Sequence, residues 1–245
     1  AHQRFSCGDC EGCSLQVDDV RETDTGSVAQ LRVGDDTLLY KIDAPGRHFA
    51  VNGAAVLGVC EAWGLDRALS LAALGRWKPG AGRGETLTIS LDASDPNATL
   101  SLIDDAYNAN PASVAASLAV LAGAAVQHDI GRVQKGRRIA VLGDMKELGP
   151  TGPDLHAALA ELPATAHLDR VHCVGELMKH LHAALPEAQR GLWCATSKEM
   201  AAQLPRHLDA GDVVLIKGSL SMALARVVAA VRHMDEGGAS DAGKG

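Results

Sequence analysis

Aromatic side chains are almost missing from this chain of 245 residues: it has two Phe, two Tyr and three Trp. With 47% of residues hydrophobic, the core must be built from Ala, Val, Leu and Ile. No apolar run reaches the ~18 residues that a membrane-crossing helix needs, and no signal-peptide pattern opens the sequence. Positive charge is in deficit, with 23 Lys and Arg against 30 Asp and Glu. That balance argues against nucleic acid as a partner. Several catalytic signatures are absent as well. There is no G-x-x-x-x-G-K-[ST] loop, no G-x-G-x-x-G after a first strand, no G-x-S-x-G elbow and no H-E-x-x-H. The glycine-rich "GAGRGE" follows a helical stretch rather than a strand, which weakens a phosphate-cradle reading. A cytoplasmic globular protein is expected, with its six cysteines kept as free thiols in a reducing compartment.

Three of those cysteines form the stretch CGDCEGC, Cys7 to Cys13. The spacing is that of the first three ligands of a ferredoxin-type cluster. A fourth ligand is not close in sequence, since the next cysteine is Cys60 and the nearest histidine is His2. The alternative is a surface loop of small residues. Elsewhere, His156, His180 and His182 are expected on helix surfaces rather than at a metal, the last two because i and i+2 do not share a helix face. Cys173, Cys194 and Met145 are expected in the core.

Residues 14 to 43 read as strands. "SLQVDDV", "SVAQLRV" and "TLLYKI" alternate apolar and polar residues across the turn signals "DTG" and "GDD". The period then changes to that of a small-residue helix ending at Gly64. A second helix follows, with Asp66 as its N-cap. "KPGAGRGE", residues 78 to 85, is a loop by its Gly and Pro content, and a domain boundary is placed just after it. Beyond it, short apolar strands alternate with helices, which implies a mostly parallel sheet covered on both faces. The fold expected is therefore α/β. Residues 85–235 are expected to form this α/β domain, preceded over 1–84 by β-hairpins and helices. The polar, glycine-rich residues 236–245 read as a disordered tail.

Ligands of open parallel sheets gather at the carboxyl ends of the strands. Three of those ends are polar here: "IDDAYNANP" (103 to 111), "VLGDMKELG" (141 to 149) and "LIKGSLS" (215 to 221). The first leads into a helix beginning at Pro111 or Ala112. The last places a lysine and two hydroxyls before a helix N-terminus, a natural seat for a carboxylate or phosphate. Each alone is a weak signal; together they point to a ligand-binding edge.

These stretches, with "APGRHFAVNGAAVLGV" and "KPGAGR", occur in the order and spacing of the Mur ligases, and the chain resembles that family over roughly residues 14 to 234. "DDAYNANP" and "VLGDMKELG" resemble most the member that adds D-alanyl-D-alanine to UDP-N-acetylmuramoyl-tripeptide. The resemblance implies ATP-dependent amide-bond ligation through an acyl phosphate in peptidoglycan synthesis, with residues 1–84 as the C-terminal part of the family's central ATP-binding domain and 85–235 as its Rossmann-like C-terminal domain. ATP and Mg2+ are the implied cofactors, and UDP-N-acetylmuramoyl-tripeptide and D-Ala-D-Ala the implied partners of a monomer. The family's P-loop, magnesium ligands and carbamylated lysine precede the part matched here. The chain alone is thus expected to be a fragment without ligation activity, and no metal ligand is assigned in it.

By the same resemblance Asn52 matches the asparagine at the adenine, and Arg83 the arginine that reaches the ATP phosphates. Asp105, with Tyr107 beside it, matches the acidic residue at the ribose. Asn108, Asn110, Lys217 and Ser219 fall where the family's C-terminal domain faces the incoming amino component. The chain departs from the pattern at Phe49, where the family has asparagine, and at Leu220, where it has arginine. An aliphatic Leu220 cannot make bidentate bonds to a carboxylate. Two other readings stand beside the ligase: a stand-alone small-ligand module without catalysis, and a metal or redox module on Cys7, Cys10 and Cys13.

Overall fold

A computed structural model describes residues 6–23, 26–132 and 134–234. The tail at 236–245 and the first two residues of the "DTG" turn lie outside them. The chain packs as two compact units divided between Pro79 and Gly80, inside the Gly/Pro-rich segment.

In the first unit, β1 (Cys7–Gly8), β2 (Leu15–Thr23), β3 (Gly26–Val33) and β4 (Asp36–Ile42) form one sheet in sequential order. The pairs β2–β3 and β3–β4 are antiparallel, whereas the two-residue β1 runs parallel to β2. Val33 pairs with Asp36, so the β3–β4 turn is the two residues Gly34 and Asp35, with Gly34 at φ 60°. A positive φ is what such a hairpin turn requires of its first central residue. Alternation then delivers Leu15, Val17, Ala29, Leu31, Tyr40 and Ile42 to one buried face.

Helix α1 (Arg47–Ala62) covers that face through its smallest residues. A Cβ at Gly53 would stand 2.6 Å from Ile42 Cδ1, and one at Gly58 would stand 3.2 Å from a Leu15 methyl. The small-residue pattern is therefore a packing surface that brings the helix axis close to the sheet. Helix α2 (Arg67–Leu74) begins at Asp66, whose carboxylate accepts from Leu69 N–H at 2.8 Å. Asp66→Ala should lower the unfolding free energy by about 1 kcal/mol, the usual worth of an N-cap. A shift in the urea midpoint at unchanged slope would register it.

The cysteine stretch belongs to this unit. Cys7 is part of β1 and its thiol approaches the Val51 carbonyl at 3.8 Å. Burial and the neighbouring Cys13 push that thiol upward from its ordinary value.

The second unit holds a sheet in the order β5–β6–β10–β7–β8–β9. Its strands are β5 (Glu85–Ser90), β6 (Thr99–Asp105), β7 (Arg138–Gly143), β8 (Arg170–Val174), β9 (Arg190–Cys194) and β10 (Val213–Lys217). All neighbours are parallel except the edge strand β5, which pairs antiparallel with β6. Every residue of β10 is buried, as expected of a central strand with helices on both faces.

One face is closed by α3 (Pro111–Gly123), α4 (Gly152–Ala157) and α5 (Met178–Ala184), through Val114, Leu118, Leu121, Met178 and Leu181. The other is closed by α6 (Ser197–Gln203) and α7 (Ala225–Arg232), through Met200, Val227, Val228 and Val231. The chain leaving β6 thus turns to one face and the chain leaving β10 to the other. Adjacent strands whose connections diverge in this way open a crevice at their carboxyl ends.

Candidate functional site

Register places Lys217 opposite Asp105 on one side and Leu142 on the other. The three polar strand ends are consequently neighbours. Lys217 is only 3% exposed, and its ammonium donates to Asp105 Oδ2 at 2.7 Å and to the Asn108 carbonyl at 3.0 Å. Ser117, on the second turn of α3, donates to the same Asp105 oxygen at 2.6 Å. A lysine ammonium has three donors, so one N–H remains beyond these two contacts.

The turn after β6 is held along its length. Asp104 accepts from Ala106 N–H at 3.2 Å, and burial raises its carboxyl above the ordinary range. Asn108 Oδ1 accepts from Ala109 N–H. Asn110 and Ser113 form a reciprocal capping box, with Pro111 as the first helical residue. Asn110 thereby serves α3 directly, satisfying donors that a helix start would leave unpaired.

Just before β5, the Arg83 guanidinium lies over the Tyr107 ring at 4.0 Å from its centroid. Tyr107 N–H donates to the Gly82 carbonyl at 2.9 Å, which fastens the two segments together. No hydrogen bond or ion pair of the guanidinium occurs among the described residues. A contact with the ring that engages no N–H in a hydrogen bond leaves those donors open to an oxyanion.

At the end of β7, Asp144 is 1% exposed. Its carboxylate accepts from Met178 N–H and from Lys146 Nζ, each at 2.9 Å. Ser219 joins this strand end to β10: its hydroxyl accepts from Lys146 N–H at 2.9 Å, and its own N–H donates to the Asp144 carbonyl at 3.2 Å.

His156 corrects the expectation of a surface position, because it is fully buried. Its Nε2 accepts from Met145 N–H at 2.9 Å, and Nδ1 donates to the Gly152 carbonyl at 2.6 Å. Two backbone partners satisfy the neutral ring, which removes the penalty for burying it. His180 is exposed, and His182 is half-buried with Nε2 at 3.0 Å from the Gly191 carbonyl. Cys173, Cys194 and Met145 are in the core.

The chain matches the family described as Mur ligase, glutamate ligase domain, over residues 93–220, just over half its length. It belongs to the Mur ligase family. The UDP-N-acetylmuramoyl-tripeptide–D-alanyl-D-alanine ligase of Treponema pallidum is 30% identical over 191 residues, covering 76% of this chain and 38% of the relative. The Escherichia coli ligase of the same name is 30% identical over 214 residues, covering 86% and 41%. The chain thus spans about two fifths of the length of these curated relatives. Among solved structures, MurF from Acinetobacter baumannii superposes with a TM-score of 0.72 at 23% identity, covering 91% of this chain and 46% of that one. MurF from Thermotoga maritima in complex with ADP gives 0.71 at 23%, covering 93% and 48%. At that identity the structures establish a shared fold, α/β with a mostly parallel six-stranded sheet.

Within this Mur ligase chain, Arg83, Asp105, Tyr107, Asn108 and Lys217 come together around the turn after β6, while Ser219 joins the Asp144 strand end beside it. Asn52 belongs to the first unit, on the exposed side of α1. Ser117 was missed in the sequence. Its only signal is placement one turn after Ser113, on the stripe of α3 that faces the strand end. Leu220 is 63% exposed and offers no polar group to a ligand.

Proposed function

We propose that this chain is part of an ATP-dependent ligase that joins D-alanyl-D-alanine to UDP-N-acetylmuramoyl-tripeptide, and that the carboxyl ends of β6, β10 and β7 receive the dipeptide. The observation that carries this reading is the buried Lys217 ammonium. It is fixed by Asp105 and Asn108 at the crevice and keeps one N–H in reserve.

In the reaction so proposed, a tripeptide carboxylate oxygen attacks the γ-phosphorus of ATP and ADP leaves. The dipeptide amine then attacks the acyl carbon, phosphate departs, and the amine gives up a proton. Phosphoryl transfer of this kind depends on positioning and on cations at the transferring group. Arg83 fits that requirement through its open N–H edges, with Tyr107 holding it from beneath. Asn52, Asp105 and Tyr107 are assigned to the nucleotide. Asn108, Asn110, Lys217 and Ser219 are assigned to the amino component, with Lys217 meeting its carboxylate. Since Asp105 is already engaged by Lys217 and Ser117, its contribution to the nucleotide would come from the other carboxylate oxygen.

No three His, Cys, Asp or Glu side chains converge among the described residues, and no residue of this chain is assigned to Mg2+.

Titrating the 245-residue chain with D-Ala-D-Ala in amide-detected NMR tests the proposal. Shifts are expected at residues 106 to 110 and 217 to 219, with much weaker ones for L-Ala-L-Ala. A ligand-binding module of another kind would leave those amides unmoved by the dipeptide, and the assignment would then fall.

A further inference from the structure

The opposite, amino-terminal edge of the same sheet carries a second polar concavity, which none of the assigned site residues enters. Its volume is about 340 Å³, and Arg137, Arg170, His172, Arg190 and His207 line it. Arginines stand at or just before the first residues of β7, β8 and β9, so the parallel sheet gathers them at one end.

His172 is 2% exposed, and its Nδ1 accepts from Leu192 N–H at 2.9 Å. That bond fixes the tautomer: the ring proton must sit on Nε2. Nε2 is the buried side-chain polar atom left without a partner among the described residues. A buried donor with no acceptor is a rare feature that calls for a physical reason.

The local backbone is shaped around this ring. Between the pairs Val171–Arg190 and Cys173–Trp193, β9 supplies Gly191 and Leu192 against His172 alone. This is a bulge of two residues against one, a device that re-aims a side chain. A Cβ at Gly191 would stand 2.7 Å from His172 Nδ1, so glycine is what admits the ring there. Burial first, then the charges of His207, Arg170 and Arg137, depress the imidazole to about 3. The ring therefore stays neutral and keeps one donor.

The surrounding charge is compensated only in part. Asp212 balances Arg137 at 2.6 Å, and Lys135 occupies Asp169. Arg170 donates to the Arg190 carbonyl, and Arg190 donates to the carbonyls of Leu185 and Ala183. Neither has a carboxylate partner among the described residues. Two arginines without a carboxylate partner and the histidine with the orphan N–H thus line one common space.

We propose that this pocket binds a tetrahedral oxyanion, either inorganic phosphate or the phosphate of a phosphomonoester, between Arg170, Arg190 and the Nε2–H of His172. A phosphate oxygen supplies the missing acceptor, and its charge answers the two arginines, whose planar forks match it.

NMR of the 245-residue chain, reading amides and the imidazole nitrogens, tests this with inorganic phosphate, glycerol phosphate and acetate in parallel. Phosphate should move His172 Nε2 and Leu192 N–H together. Arg170→Gln, whose parent side chain touches only one carbonyl, should weaken that response at least tenfold without altering the fold. Arg190→Gln should act in the same direction. Tighter binding of glycerol phosphate would name an organic phosphate as the source, and equal or weaker binding would name free phosphate; both support the site. Acetate binding as well as phosphate, a response that survives Arg170→Gln, or an unmoved His172 would overturn it.

Discussion

Lys217→Ala is expected to destabilise the second unit by about 3–5 kcal/mol, the range for removing one partner of a buried ion pair. The ammonium is 3% exposed and Asp105 16%, so the pair is largely removed from water. Without the lysine, Asp105 Oδ2 keeps only the Ser117 hydroxyl, and the Asn108 carbonyl loses its donor. The loss should therefore exceed that of a surface bridge, which is worth about 0–1 kcal/mol. Lys217→Met combined with Asp105→Asn should recover most of it, because no unpaired charge remains. Urea unfolding of Lys217→Met, Asp105→Asn and the double variant closes the cycle that gives the coupling energy. A single-variant loss under about 1 kcal/mol would mean that the pair is solvated and that its geometry does not hold the turn. The same double variant should still lose the dipeptide response, which separates the pair's structural role from recognition.

Gly175→Ala should be comparably damaging, for two reasons that add. The residue has φ +106°, and its Cβ would stand 2.5 Å from the Asp144 carboxylate. Backbone in that region costs a non-glycine residue about 1–3 kcal/mol. The clash then displaces a carboxylate that is itself tied to Met178 N–H and Lys146, at about another 1–3 kcal/mol for the buried groups left unpaired. Relaxation is blocked, since Gly175 N–H donates to the Cys194 carbonyl and its own carbonyl accepts from Trp193 Nε1. We expect a loss of about 3 kcal/mol or more, near 6–12 °C in Tm for a protein of this size. Gly149→Ala is the control, with φ +61° but nothing within 4 Å of the added carbon. It should show the backbone cost alone. Equal losses in the two variants would remove the clash from the account.

Much of this architecture was legible residue by residue. The alternation of β2 to β4, the turn at "GDD", the cap at Asp66, a helix start at Pro111 or Ala112 and the short apolar strands of the second unit all follow from local chemistry. Each depends on groups within a few positions of one another, where backbone geometry leaves few choices. The polar strand ends were legible in the same way, as residues that could not belong to the core.

Which strand ends would be neighbours was not legible. Strand β10 lies between β6 and β7, which places Lys217 against Asp105 from 112 positions away. The crossover helices decide that lateral order by covering both faces, and an apolar run of five residues carries no mark of its neighbours. The antiparallel edge strand β5 follows from the short return to β6, in a segment that reads locally like any other strand. His156 and His172 make the same point from opposite sides. Sequence marks both as polar, yet tertiary packing gives the first two backbone partners and leaves the second one acceptor short. The sequence by itself determined the elements, their caps and the polar character of the strand ends. Only the tertiary structure decided which of those ends share a crevice and which buried nitrogen still lacks an acceptor, because both depend on contacts between residues that local patterning cannot relate.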